Sequence, residues 1–214
     1  MSRPILAIVF SLVALLNSST ALSEPALIRR ASHDDIASAL ELDWRVSVEF
    51  FKPLFMHAYQ TTLGKDPDYY IELDMVNDKK VFTGCVNGEG KHHLYVACDE
   101  ENMHVVGLIL FHAHDETTFE IDLLLVDNAY RRLGLGKRLI NAALEQFPSA
   151  ETCIVYVFSH NEPALRFYES IGFVNLGPGP ADRNTIYGLT YEQVYVYCKA
   201  ACKKLAQFTS VAKL

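Results

Sequence analysis

Arg131-Arg132-Leu133-Gly134-Leu135-Gly136-Lys137 is the stretch of this chain most suited to holding an anion. It stands between an apolar strand-like run, Phe119 to Val126, and a helix-like run, Arg138 to Phe147. A turn that aims several backbone N–H groups at one anion cannot carry a bulky Cβ at every position, and the helix that follows adds the positive end of its dipole. Such a cradle holds phosphate oxygens without a metal. Arg132 and Lys137 either add charge to it or are the solvated start of a helix. The preceding run carries two carboxylates, Glu120 and Asp122. Strict alternation puts Glu120, Asp122, Leu124 and Val126 on one face and Ile121, Leu123 and Leu125 on the other. Carboxylates on a central strand are costly to bury unless paired or used, so each is either a proton acceptor or half of a salt bridge.

The elements that must position these groups follow from periodicity and turn residues. Ala26 to Arg30 is a short strand, and Ser32 with Asp35 caps a helix. That helix carries an apolar stripe, Ile36, Leu40, Leu42 and Trp44, which Pro53 interrupts; Leu54 to Thr62 forms a second helix stopping near Gly64, and Asp66 to Val81 a third. Three strands, His93 to Cys98, His104 to His114 and Thr118 to Val126, are separated by short polar breaks and make an antiparallel meander. After the glycine loop come a helix from Gly134 to Phe147, a strand from Cys153 to Phe158, and a helix from Glu162 to Ser170 closed by Gly172. That order implies a parallel crossover. Phe173 to Leu176 and Tyr191 to Cys198 supply the last strands, on either side of an irregular loop starting at Gly177. The fold class is therefore α/β: a mixed sheet, antiparallel meander then parallel β-α-β crossover, with helices on both faces.

With 214 residues, half of them hydrophobic and 21% charged, the chain is sized for one domain with a substantial core. The formal charge of −7 gives nucleic-acid binding no overall electrostatic support and suits a cationic or amine partner better. Arg3, the apolar run Ile5 to Leu16 and the small polar stretch Asn17 to Ser23 have the layout of a secretory signal peptide, with cleavage expected before Glu24. The apolar run is short for a membrane span, which needs roughly 20 residues. Residues 1–23 are thus read as a signal, 24–200 as the domain and 201–214 as a tail. The protein is expected to be exported, periplasmic or secreted, and cytoplasmic if that segment is retained. Five cysteines cannot pair completely, and Cys98 and Cys153, in apolar strands, are expected to be buried free thiols.

The loop lacks the spacing G-x-x-x-x-G-K-[ST] and the spacing G-x-G-x-x-G after the strand. With Arg131, Gly134 and Gly136 at its defined positions, it resembles the Q/R-x-x-G-x-G/A pyrophosphate signature of the GNAT superfamily of acyl-coenzyme A dependent N-acyltransferases. A second, independent stretch, Asn161-Glu162-Pro163-Ala164-Leu165-Arg166-Phe167-Tyr168-Glu169-Ser170-Ile171-Gly172-Phe173, resembles that superfamily's N-x-x-A-x-x-(F/L)-Y-x-x-x-G-F segment. The order of elements from about residue 26 to 199 is similar to the GNAT fold.

The resemblance implies acetyl transfer from acetyl-coenzyme A, a cosubstrate, to a primary amine, on a small cationic molecule or on a protein. The amides of Leu133, Gly134, Leu135, Gly136 and Lys137 would cradle the pyrophosphate, with Arg131 flanking it and Arg132 nearby. Asn161 would sit at the pantetheine arm, which would pair with the backbone around Leu124 to Val126. Glu120, or else Asp122, would take the amine proton, and Tyr168 would protonate the departing thiolate, a phenol with pKa about 10 suiting a thiol of about 8.5. The alternative is an inactive coenzyme-binding sensor or interaction module. His112 and His114 share a strand face, but no third ligand is fixed by spacing, so no metal is expected and His112 or His114 is read as lining the acceptor cleft. The sequence names no acceptor and no oligomeric state. Export conflicts with the cytoplasmic location of acetyl-coenzyme A, unless the protein is delivered into another cell's cytosol or the segment is retained with the domain inside.

Overall fold

The computed structural model describes residues 26–58, 67–158, 161–179, 185–186, 189–190 and 194–200. The signal-like segment, the 201–214 tail with Cys202, and the helix end expected near Gly64 lie outside the described residues.

Strand β1 (Leu27–Arg30) leads through a single 3-10 turn, His33–Asp35, into α1 (Ile36–Ala58), followed by α2 (Pro67–Asn87). The meander is β2 (His92–Cys98), β3 (Val105–Ala113) and β4 (Thr118–Val126). Then come α3 (Leu135–Leu144), β5 (Thr152–Phe158), α4 (Glu162–Ser170) and β6 (Val174–Pro178). A small ribbon, β7 (Thr185–Ile186) with β8 (Leu189–Thr190), precedes β9 (Val194–Ala200). The main sheet has seven strands in the order β1-β2-β3-β4-β5-β9-β6, with β4 and β5 parallel and each other neighbouring pair antiparallel.

Both sheet faces are covered, which is why β3 reads as an almost unbroken apolar run. One face packs Phe111, Phe119, Ile121, Leu139, Ile140 and Phe173 into a core beneath α3 and α4. The other packs Ala39, Leu42, Phe82, Cys85, Leu94 and Leu108 beneath α1 and α2. The mixed sheet with helices on both faces is as the sequence implies, and Cys98 and Cys153 are buried. The start of α1 is pinned by Asp35, whose carboxylate accepts from the Ser32 N–H and hydroxyl, each at 2.7 Å, and from Arg29 at 2.6 and 2.8 Å.

The helical third departs from expectation in two ways. α1 runs through Pro53 to Ala58 as one helix of 23 residues. Proline deletes its own N–H rung, but the turns on either side keep theirs, so the interior break is local. α2 extends to Asn87, beyond the expected end at Val81. Phe82 and Cys85, three positions apart on one helical face, are both buried against β2 and β3, and that burial holds the last turns helical despite Gly84.

Candidate active site

β4 does not alternate strictly. Leu110 of β3 pairs with Leu123, but the next residue, Phe111, pairs with Ile121, so Asp122 is an extra residue in a β-bulge. Side-chain parity flips there. Phe119 and Ile121 share the α3-side core with Leu124 and Val126, while Leu123 and Leu125 belong to the α1–α2 side. Glu120 therefore does not share a face with Leu124 and Val126. It points to the α1–α2 side, where Asp122 joins it. Strict alternation fails as a guide because one inserted residue reverses every position after it.

The bulge also ends the ladder with β5. Parallel pairing runs only from Thr118↔Thr152 to Ile121↔Val155. Beyond it the backbones of Leu124 and Val126 leave the ladder with β5, whose residues Tyr156 to Phe158 keep only their pairing with β9 on the other edge. A wedge opens between β4 and β5 toward the glycine loop.

At the head of that wedge, Asp127 caps the 3-10 turn Asn128–Tyr130, accepting the Ala129 N–H at 2.9 Å. Arg131 folds back, donating from Nε to the Val126 carbonyl at 3.0 Å. Arg132 and Gly134 both take left-handed backbone, at φ +64° and +79°. Gly134 is the N-cap of α3, and its carbonyl accepts the Arg138 N–H at 3.1 Å, the first intrahelical bond. The amides of Gly134 to Lys137 thus precede the helical ladder and point out of its N-terminus. Arg132, Leu133 and Lys137 are exposed, whereas Leu135 and Gly136 are buried. Gly136 packs against Phe167, whose ring would lie 3.0 Å from an added Cβ. Asn161 caps α4, its side-chain carbonyl accepting the Ala164 N–H at 3.2 Å.

Tyr168 is buried in the α3-side core, edge-on to Phe167 and Phe173. Burial pushes its phenol well above the ordinary value, with Cys153 adding to the effect, so it keeps its proton at neutral pH.

On the opposite face the register builds a chain of groups that sequence spacing does not show. His112 lies across from Glu120 on one side and from His92 on the other. His112 Nδ1 is 2.7 Å from Asp122 Oδ2, His114 Nδ1 is 3.2 Å from Glu120 Oε2, and His92 Nε2 is 3.8 Å from Asp122 Oδ2. Glu120 is 1% exposed, and His112 and His114 stand beside its carboxylate. Burial holds the His92 imidazolium below the usual range, against the pull of Asp122. This face is overlaid by α1 and α2. The only sequence signal for it is the cluster of histidines and acids, and pairing them requires the register. Among the described residues no helix is long and apolar enough to cross a membrane.

Residues 48–173 match the model of the Acetyltransferase (GNAT) family. The chain is 33% identical over 99 residues to "Putative phosphinothricin acetyltransferase YwnH" of Bacillus subtilis (strain 168), which covers 42% of this chain and 59% of that protein. The chain therefore spans less than two thirds of this relative's length. Among solved structures it is similar to the PaiA N-acetyltransferase of Thermoplasma acidophilum in complex with coenzyme A, with a TM-score of 0.58 at 16% identity over 83% of this chain and 99% of that one. It is likewise similar to YncA of Salmonella typhimurium with its cofactor acetyl-CoA, with a TM-score of 0.57 at 18% identity over 86% of this chain and 98% of the other.

Proposed function

The chain belongs to the acetyltransferase (GNAT) family, and from that premise we propose that it moves an acetyl group from acetyl-coenzyme A to a primary amine by direct transfer in a ternary complex. The observation that carries this reading is the α3 N-terminus, with left-handed Gly134 and outward amides, standing at the head of the wedge between β4 and β5. The fit to the coenzyme is chemical as well as geometric. The amides of Leu133 to Lys137 and the helix dipole suit the pyrophosphate, Arg131, Arg132 and Lys137 supply cationic charge, and the wedge suits a pantetheine arm pairing with Leu124 and Val126 as an added strand. Relatives of the same fold have been solved with coenzyme A and with acetyl-CoA.

In this reading the acceptor approaches from the α1–α2 side. Glu120 takes the amine proton through a bridging water, the amine nitrogen attacks the thioester carbonyl carbon, and the carbon–sulfur bond breaks. The N–H near Val126 stabilises the developing oxyanion, and Tyr168 gives its phenolic proton to the departing thiolate. Asp122 supports the base side, and Asn161 fixes the α4 start beside the arm. The acceptor is a small cationic amine or a peptide amine, in keeping with the acidic chain.

Thiol release from acetyl-coenzyme A across a panel of polyamines, aromatic amines, amino acids and lysine peptides tests this. Turnover on at least one amine supports it, while tight coenzyme binding with no turnover on any makes the chain a coenzyme-binding module instead. We further propose that residues 1–23 direct export of the 24–200 domain and are removed before Glu24. The mass of the mature N-terminus in fractionated cells checks this, and a soluble cytoplasmic form that keeps residues 1–23 overturns it.

A further inference from the structure

We propose that His92, His112 and Asp122 form a binding site for a divalent transition-metal ion of the zinc type, on the α1–α2 face of the sheet. The site goes beyond acetyl transfer and does not rest on it. From the sequence, the histidines lack a third ligand; the sheet register supplies one. The three residues stand on adjacent strands β2, β3 and β4, with His92 directly opposite His112 and the β4 bulge turning Asp122 onto the same face.

One ligand atom from each lies within 4.8 Å of the other two. Asp122 Oδ2 is 2.7 Å from His112 Nδ1 and 3.8 Å from His92 Nε2. Two donors, each about 2.0–2.1 Å from a tetrahedral zinc ion, lie roughly 3.3 Å apart. The two Asp122 separations bracket that value and the two imidazole donors lie within 4.8 Å of each other, so closing the site takes shifts of about half an ångström at Asp122 and at most about 1.5 Å between the imidazoles, within reach of side-chain rotation. Two imidazoles and one carboxylate suit zinc and its neighbours in the first row better than calcium or magnesium, which prefer oxygen ligands alone. Binding at Nδ1 takes the place of the hydrogen bond between His112 and Asp122, and the single N–H of the neutral imidazole then sits on Nε2, opposite Glu120.

Two further features favour this set. The other ring nitrogen of His112, Nε2, faces Glu120 Oε2 at 3.9 Å, the placement of an outer carboxylate that orients a metal-bound imidazole. His112 is buried, while the side chains of His92 and Asp122 are 32% and 20% exposed, which leaves an entry path and open coordination positions. The neighbouring set of His112, His114 and Glu120 is also compact. Its carboxylate, however, is 1% exposed and stands against both His112 and His114, so an ion reaches it only by displacing those contacts.

Full-length, tag-free protein stripped with a chelator is titrated with Co2+, whose visible absorption reports coordination, and then with competing Zn2+. One bound Co2+ per chain, displaced by Zn2+, is expected. His92→Ala and Asp122→Asn should each weaken binding at least about tenfold, with His114→Ala within about twofold of the unaltered chain and circular dichroism unchanged throughout. No uptake, or uptake indifferent to His92→Ala and Asp122→Asn, overturns the proposal; loss confined to His114→Ala shifts the ion to Glu120 and overturns this assignment. Coenzyme A binding is measured on the same samples without metal. Retained coenzyme binding with no metal uptake defeats the metal site and leaves the transferase reading standing, and the reverse result separates them the other way.

Discussion

A Cβ added to Gly136 would lie 3.0 Å from Phe167 Cζ and 3.3 Å from its Cε2, so the second glycine of the loop packs closely against helix α4. Overpacking of this kind costs about 1–3 kcal/mol. Alanine in place of glycine in a helix returns up to about 1 kcal/mol. Gly136→Ala should therefore destabilise by up to about 2 kcal/mol in denaturant unfolding, and adding Phe167→Leu, which removes the far edge of the ring, should recover part of the loss. Equal losses in the single and double variants would show that the two residues do not meet.

Gly134 differs. No atom lies within 4 Å of a Cβ built there, but its φ of +79° is left-handed. The penalty for a side chain is conformational, about 1–2 kcal/mol for an ordinary L-residue and less for asparagine. Coenzyme A affinity by calorimetry should fall in the order Gly, Asn, Ala, Val at position 134, the β-branched residue being the least able to hold this backbone. An order that followed side-chain volume alone would mean that phosphate contact, not backbone shape, sets the requirement.

The loop and the α4 stretch were legible in the sequence because each depends on local spacing: Gly134 on a turn, Gly172 on a helix end. The element order followed from turns and apolar runs, and β4 and α4 matched from end to end. What stayed hidden depends on distant pairings. The bulge at Asp122 arises where β3 meets β4, and it moves Glu120 to the face opposite Leu124 and Val126 without any signature in the residues themselves. The link from His92 through His112 to Asp122 and Glu120 likewise needs three strands in register. The helix through Pro53 and the extension of α2 to Asn87 were settled by the length of helix available and by burial of Phe82 and Cys85, both tertiary effects overriding local propensity.

Tyr168 sits among aromatic rings, so Tyr168→Phe keeps the packing and removes only the hydroxyl. The variant should bind coenzyme A as tightly as the unaltered chain. Its turnover on the best amine should fall by about 100-fold or more if the phenol supplies the proton to the thiolate. The loss should be smaller for acyl donors whose leaving thiol is more acidic, because a better leaving group needs less protonation. Unchanged turnover with both donors would assign Tyr168 to packing alone.

Asp43 and Asp78 join α1 to α2 through a carboxyl pair. Asp43 Oδ1 accepts the Ser47 hydroxyl at 3.0 Å, while its buried Oδ2 has no hydrogen-bond partner when both carboxyls are ionised. A proton carried by Asp78 supplies the missing donor. Burial, then the neighbouring Asp43 and Asp74, push Asp78 up to about 8. In the unfolded chain the same group titrates near about 4. Between those values the folded state holds a proton that the unfolded state has lost, so stability is fully present below the lower value and is lost as pH rises through the upper one. The melting temperature should therefore decline from pH 6 to pH 9. Asp78→Asn, which offers Asp43 a permanent N–H donor, should flatten that slope and be the more stable chain at pH 9, by up to a few kcal/mol at about 1.4 kcal/mol per pH unit. Parallel pH profiles for the two chains would show that the pair carries no shared proton.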